Sequence, residues 1–304
     1  MIARDNLLQM KYFSFILLQS VIYGLGNPLT KIAYESITPF WLLTFRFFIA
    51  LFIFFLFFGK RLTTQLKTAK LSQYLPVSLC VAVAYITCNL ALNWTSATNV
   101  GFIMSLPVIF APLLAIVILH QKYDFRYLPL QIIVTVGLYL LCCNDGGFTL
   151  NKGDFCALIT AFALSGALVF TKKSLESLDA VTISAAQAGL TALLSLFCAL
   201  VLDDYRAVAY IEPAAWAVIV YLALTCTCLA YVLQNLALVH LSPGTVSMLQ
   251  CTQPILTAVF SFLILGETLS FRGIIGGLII IGSVLAASLM ETHKTTDDVQ
   301  ERST

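Results

Sequence analysis

Ten stretches of this chain are apolar over about the length that an α-helix needs to cross the ~30 Å hydrocarbon core of a bilayer. They lie near residues 12–32, 40–58, 74–94, 98–119, 127–143, 154–172, 180–202, 213–238, 244–265 and 271–290. Such runs leave few choices of fold, because lipid offers the backbone no hydrogen-bond partners and each crossing segment must satisfy its own. Composition agrees: 60% of the 304 residues are hydrophobic, 11% are charged, and the mean hydropathy is +0.92. A soluble domain carries roughly 25% charged residues. The chain therefore reads as an all-α membrane protein with ten transmembrane helices. A net charge of +2 gives no footprint for nucleic acid.

Lysine and arginine in the loops set the orientation. With the N-terminus inside, twelve of the 17 fall on the cytoplasmic side and four outside (Lys31, Lys152, Arg206 and Arg272), leaving Arg46 within the second run. Both termini are then cytoplasmic, as an even number of spans requires, and residues 291–304 form a polar cytoplasmic tail. The first run follows Arg4 and Lys11 much as a signal peptide would begin, but no small-residue cleavage site follows, so it is read as retained.

Part of the sequence is written twice. Tyr85-x3-Asn89-x-Ala91-Leu92, a polar break, and Pro107 in an apolar run recur as Tyr231-x3-Asn235-x-Ala237-Leu238, a break, and Pro254. Thr30-Lys31 likewise answers to Thr171-Lys172, and Arg46 to Gln187. The halves divide at 1–146 and 147–290. Five helices is an odd number, so the second half enters the membrane from the opposite side. The copies are then two inverted five-helix repeats about an axis in the membrane plane. Such duplication is the usual trace of a carrier.

Polar groups inside a bilayer are costly and mark functional sites by default. The third run carries Tyr85, Asn89 and Asn93 along one face; the eighth repeats the pattern with Tyr231 and Asn235. Ser105 in the fourth run, with Gln250 and Gln253 in the ninth, extends these stripes. As a set they could line a central cavity for a polar solute, or they could serve as glue between helices. The second-half glutamines answer to Ile103 and Leu106, so substrate choice is expected to lie in these asymmetries. Pro107 and Pro254 free backbone carbonyls within helices and are candidate hinges at that cavity. Arg46 lies about six residues into its run, ~9 Å along it. It either snorkels to the interface, pairs structurally, or binds an anionic group; Lys31 is likewise a candidate for structural pairing or for binding an anion.

No Asp or Glu stands in the middle of a run, so a buried carboxylate proton relay is not expected. Gly273-x-x-x-Gly277 offers a small-residue face for a neighbouring helix or for a homodimer. The nine cysteines show no CxxC spacing, and neither a metal nor a cofactor is expected. No G-x-x-x-x-G-K-[ST] motif, H-E-x-x-H or G-x-S-x-G is present, which argues against a pump and against an enzyme.

The chain resembles the drug/metabolite transporter superfamily in its ten-helix EamA-type branch. The resemblance rests on Tyr23-Gly24-Leu25-Gly26-Asn27-Pro28-Leu29-Thr30-Lys31, on Arg46-Phe47-Phe48-Ile49-Ala50, and on Leu263-Ile264-Leu265-Gly266-Glu267-Thr268-Leu269 before a Gly-rich last helix. His120-Gln121-Lys122 departs from the corresponding end in the first half. The resemblance places Asn27 with the substrate-facing residues. It implies a secondary carrier in the cell membrane, the bacterial inner membrane by expectation, exporting small polar metabolites such as amino acids, or drugs, by alternating access. Uptake or exchange of a nucleotide-derived or cofactor-like solute fits the same fold, and a non-transporting receptor or scaffold is the reading from another class.

Overall fold

The computed structural model describes residues 2–301 except 96, 124, 143–150 and 267–269; side chains are described from 9 to 290 with those omissions and with 93, 97–99 and 207 also left out. Asn93, Glu267 and the side chains of the polar tail therefore lie outside the described residues. Among those described, every regular element is helical. The first six helices are α1 (Ile2–Ala33), α2 (Pro39–Thr68), α3 (Leu71–Trp94), α4 (Ala97–Ile103), α5 (Pro107–Leu119) and α6 (Leu128–Cys142). The rest are α7 (Lys152–Ser174), α8 (Ala180–Leu202), α9 (Pro213–Tyr221), α10 (Ala230–His240), α11 (Pro243–Gln250), α12 (Gln253–Leu265) and α13 (Phe271–Glu301).

Nine stretches of the described residues have the length and apolarity to cross a membrane. Three are composites: α4 with α5, α9 with α10, and α11 with α12. Helix α1 is long enough at 32 residues but is the more polar for carrying Gln19, Ser20, Asn27 and Thr30. Of those residues Gln19 and Ser20 are buried against protein, Thr30 is half-buried and Asn27 is exposed. Outward faces are greasy, as with Phe52 (67% exposed) and Phe57 (72%), which is the pattern of a chain solvated by lipid.

The breaks have local causes. Pro107 and the Gln253-Pro254 pair each stand in the first turn of a new helix, where a missing N–H costs nothing. The turns at Met104–Leu106 and Cys251–Thr252 precede them. Between α9 and α10 the chain does not break but widens into π turns over Leu222–Leu229. Both second-segment helices end on a left-handed residue, His120 at φ 52° and Gly266 at φ 69°.

Packing between the halves is antiparallel. Asp203, after α8, accepts from the Thr38 hydroxyl and the Phe40 N–H and so caps α2. At the other end Asp179 caps α8 through the Thr182 N–H and holds Arg61 and Gln65 of α2. Helices α3 and α7 run alongside from Thr95–Asp154, through Thr87–Thr160 at 2.7 Å, to Ser174 bonding Gln73 O. Helix α1 packs on α10 and α12, and α6 on α13. At the α6–α13 crossing a Cβ on Gly276 would lie 2.5 Å from Gly137 O, while one on Gly277 would meet nothing within 4 Å. The close approach expected at Gly277 thus falls one residue earlier, because that is the face turned to α6.

One end of the bundle gathers Lys11, Arg61 and Lys172. Tyr12 stacks on His240 with ring centroids 4.1 Å apart, and Lys172 Nζ donates to Val239 O at 2.9 Å. This is the end with the lysine- and arginine-rich loops.

Candidate functional site

At the centre of the bundle the sequence leaves one ionised side chain in an apolar run, Arg46. It is 7% exposed, seven residues past the start of α2 and so about 10 Å along it. The side chain does not reach back to the interface. Its Nε donates to Thr227 Oγ1 at 2.8 Å, and its Nη2 donates to Cys226 O at 3.3 Å and to Tyr85 Oη at 3.4 Å. The guanidinium lies 5.2 Å from the Phe47 ring centroid and 5.3 Å from that of Tyr85. Tyr23 and Tyr231 complete the surroundings.

The π turns make this possible. In an α-helix the Ala230 N–H would bond Cys226 O; here it goes to Thr225 O, five residues back, and also reaches Thr227 O. The Cys226 carbonyl turns to Arg46 instead. Gly26 on α1 permits the approach, since a Cβ there would lie 2.7 Å from the Cys226 sulfur.

All the partners of Arg46 are neutral. Among the described residues it forms no ion pair. Two cation–π contacts are worth up to ~2 kcal/mol each when desolvated, and hydrogen bonds to a charged group ~1.5–3 kcal/mol. Burying an unpaired ion costs several kcal/mol even after relaxation. The hydroxyls and rings offset that cost without supplying a countercharge. Close by, the Tyr231 hydroxyl is buried and has no hydrogen-bond partner. Tyr85 and Tyr231, the matching residues of the two copies, lie on the same ring, with centroids 5.0 Å and 6.3 Å from Phe47.

A second polar group adjoins this one through α1. Gln19, one turn before Tyr23, donates to Gln234 Oε1 at 2.7 Å; Gln250 donates to Gln234 Oε1 at 2.8 Å and to Gln19 Oε1 at 3.2 Å. The three amides join α1, α10 and the last turn of α11, immediately before the break at Cys251. Gln253, half-buried at the start of α12, forms no hydrogen bond among the described residues.

The remaining sequence-derived candidates are placed as follows. Asn89 accepts from Tyr34 Oη at 3.1 Å and donates to Tyr85 O at 2.8 Å. Asn235 is fully buried; its amide donates to Ser184 at 2.9 Å, Gln187 at 3.3 Å and Ala180 O at 3.4 Å. Asn27 is exposed and donates to Thr257 at 2.9 Å. Ser105 bonds its own helix at Gly101 O, in the turn before Pro107. Lys31 is exposed at the end of α1. Tyr85, Tyr231 and Arg46 thus come together, Gln250 lies in the adjoining cluster, and Asn235 sits in a separate network against α8.

Sequence reading passed over Gln19, Tyr23, Phe47, Tyr34 and Thr227. The signal for the first two was present: Gln19, Tyr23, Asn27 and Thr30 keep one face of α1 polar at helical spacing. No comparable signal marks Thr227, because its aim depends on the π turns.

Comparison with known proteins places the chain. The EamA-like transporter family matches twice, at residues 10–143 and 151–289. Two relatives, each described only as an uncharacterized transporter of Archaeoglobus fulgidus, are 26% identical to it. One match spans 276 residues, 90% of this chain and 84% of the relative; the other spans 260 residues, 84% and 89%. A solved crystal structure of a protein superposes with a TM-score of 0.78 at 15% identity, covering 93% of this chain and 98% of that one; the likeness extends to the fold alone. With both halves matched, this multi-pass membrane protein belongs to the EamA-like transporter family.

Proposed function

We propose that this chain is a secondary carrier that exports small polar metabolites, amino acids among them, or drugs, across the cell membrane by alternating access. Its working parts are two inverted five-helix repeats, residues 1–146 and 147–290, with both termini in the cytoplasm. The carrying observation is that the contacts between halves survive exchange of one half for the other. Helix α3 on α7 has its counterpart in α10 on α1, and α5 on α7 in α12 on α1. The pairs α2–α8 and α6–α13 are their own counterparts. That is what an axis in the membrane plane requires.

Rocking one half against the other would open the central polar groups to each side in turn. The end clasps, Asp179 with Arg61 and Asp203 with Thr38, join the halves at opposite ends of α2–α8. The breaks before Pro107 and Pro254 are the hinge candidates. Among the described residues no carboxylate stands at mid-membrane, which supports coupling by another route: the buried Asp154 stands in the first turn of α7, capping it with Asn151.

Proteoliposomes filled with a cytosolic metabolite extract test this. Mass spectrometry of the lumen should show selective, saturable loss of one or a few polar solutes, accelerated by the same solute outside. Loss of many solutes in proportion to size, without counterflow, would indicate a pore, and no loss at all would overturn the carrier.

A further inference from the structure

We propose that the solute carries a single carboxylate, and that Arg46 with Tyr231 and Tyr85 forms its binding site. This deepens the carrier reading and rests on it for the identity of the bound molecule as cargo.

Three observations converge. Arg46 is buried with its charge unmatched: Nε and Nη2 are held by Thr227, Cys226 O and Tyr85, and its remaining terminal nitrogen, Nη1, has no hydrogen-bond partner among the described residues. The Tyr231 hydroxyl is buried and unpartnered beside it. A phenol can donate or accept, but the guanidinium only donates, so the partner that Nη1 lacks is an acceptor, to which the Tyr231 hydroxyl can donate as well. In a low-dielectric interior it is also an anion, since only an anion relieves the buried charge. One guanidinium matches one negative charge; a carboxylate leaves the site neutral, whereas a dianionic phosphate would leave an excess charge in the membrane. The protein contacts at Nε and Nη2 fix the guanidinium plane in advance, so the acid meets an oriented donor.

A structural arginine and an anion-binding one predict opposite results on removal. A structural one holds the helices together, and its loss lowers stability; an unmatched one is a burden on the empty protein. The test is thermal unfolding of purified full-length protein in a buffer whose anion is a bulky sulfonate, titrated with sodium acetate, acetamide or inorganic phosphate at constant ionic strength. Near saturation acetate should raise the wild-type Tm by about 2–4 °C, and acetamide and phosphate should not. Arg46→Gln should leave the acetate-free Tm unchanged or higher and abolish the acetate response. Tyr231→Phe, which removes a hydroxyl with no protein partner, should fold normally and weaken the acetate midpoint several-fold. If Arg46→Gln fails to fold, the arginine is structural and the proposal falls. An acetate response retained in Arg46→Gln, an equal response to acetamide, an unchanged midpoint in Tyr231→Phe, or a response to phosphate alone would each overturn it. Acetate binding without solute counterflow leaves the site and removes the carrier; counterflow of neutral solutes without acetate binding does the reverse.

Discussion

Residues 46 and 187 occupy matching places in the two halves, yet one is left open and the other closed. Gln187, buried on α8, donates to Thr171 at 3.2 Å and accepts from Asn235 at 3.3 Å. The corresponding neighbours of Arg46 are Thr30 and Asn89, and it bonds neither. Thr30 turns to its own helix at Gly26 O, and Asn89 pairs with Tyr34. Arg46 reaches across to the other half instead, to Thr227 and Cys226. Duplication therefore supplied one scaffold twice. The second copy carries a neutral amide and hydroxyl network across α7, α8 and α10, with the Asn235 Oδ1 left without a partner, while the first carries a buried charge with no countercharge among the described residues.

The largest effect should come from exchanging the two residues. Arg46→Gln copies the closed half into the open one. Losing a buried charge contact costs about 2–5 kcal/mol of binding, which corresponds to a drop in counterflow of roughly 30-fold to several thousand-fold, with folding preserved. Gln187→Arg does the opposite, placing a charge against Thr171 and Asn235. It should destabilise by several kcal/mol and lower the yield of folded protein. Comparable transport loss with preserved folding in both variants would erase the distinction.

The two asparagines sharpen it further. Each is the same residue in the same motif, but Asn235 holds three acceptors from one amide nitrogen, two of them on α8 side chains, and Asn89 makes one side-chain contact outside its own helix, with Tyr34 in the turn after α1. Interhelical hydrogen bonds in membranes average ~0.6 kcal/mol and reach ~1.7. Asn235→Ala should lie near the upper figure and Asn89→Ala near the lower, measured as unfolding midpoints in sodium dodecyl sulfate. Equal costs would mean that the halves are equally locked.

Much of this was legible in the sequence, and for identifiable reasons. Helix positions follow from the apolar runs, because lipid permits little else. The pairing of Tyr85 with Tyr231 was readable as repetition, and the structure puts both rings on Phe47. What composition could not give was direction. Asn89 and Asn235 stand alike in the sequence; which neighbours they bond depends on helix rotation within the bundle. From the sequence Arg46 is open to snorkelling, structural pairing or anion binding; the π turns at Leu222–Leu229, which offer it Cys226 O, turn it inward. Helix α2 continues ten residues past the apolar run, to Thr68 rather than 58, since Lys60 to Thr68 are mostly polar but include no helix breaker.

The ends of α2–α8 allow a gentler comparison. Burial opposes the Asp179 charge, but the Thr182 N–H and Arg61 outweigh it and hold the carboxyl below its ordinary range. A depressed carboxylate contributes stability that is complete above its unfolded value of about 4 and is lost as pH falls through the lower folded value. Asp179→Asn keeps a competent helix cap and removes the Arg61 pair. Arg61 is 54% exposed, so the difference should be under about 1 kcal/mol and shrink with added salt. Plotted against pH, the wild-type Tm should exceed the variant's near neutrality and converge with it below about pH 4. Parallel curves would show that Arg61 contributes nothing to the clasp.

The smallest effect is expected where the halves differ without consequence for the site. His120 and Gly266 both close a helix in the left-handed region, at φ 52° and φ 69°, after α5 and α12. That conformation crowds a Cβ and is free of strain only for glycine. His120 also donates its N–H to Ala115 O, a bond that glycine would keep. Glycine loses more chain entropy on folding than histidine, which takes back part of the gain. His120→Gly should therefore raise stability by about 0.5–1 kcal/mol, seen as a Tm increase of a degree or two with transport unchanged. Gly266→His should lower it by a similar amount. A loss of transport in His120→Gly would mean that the imidazole does work at that end of the bundle, and the asymmetry there would have to be counted with that of Arg46 and Gln187.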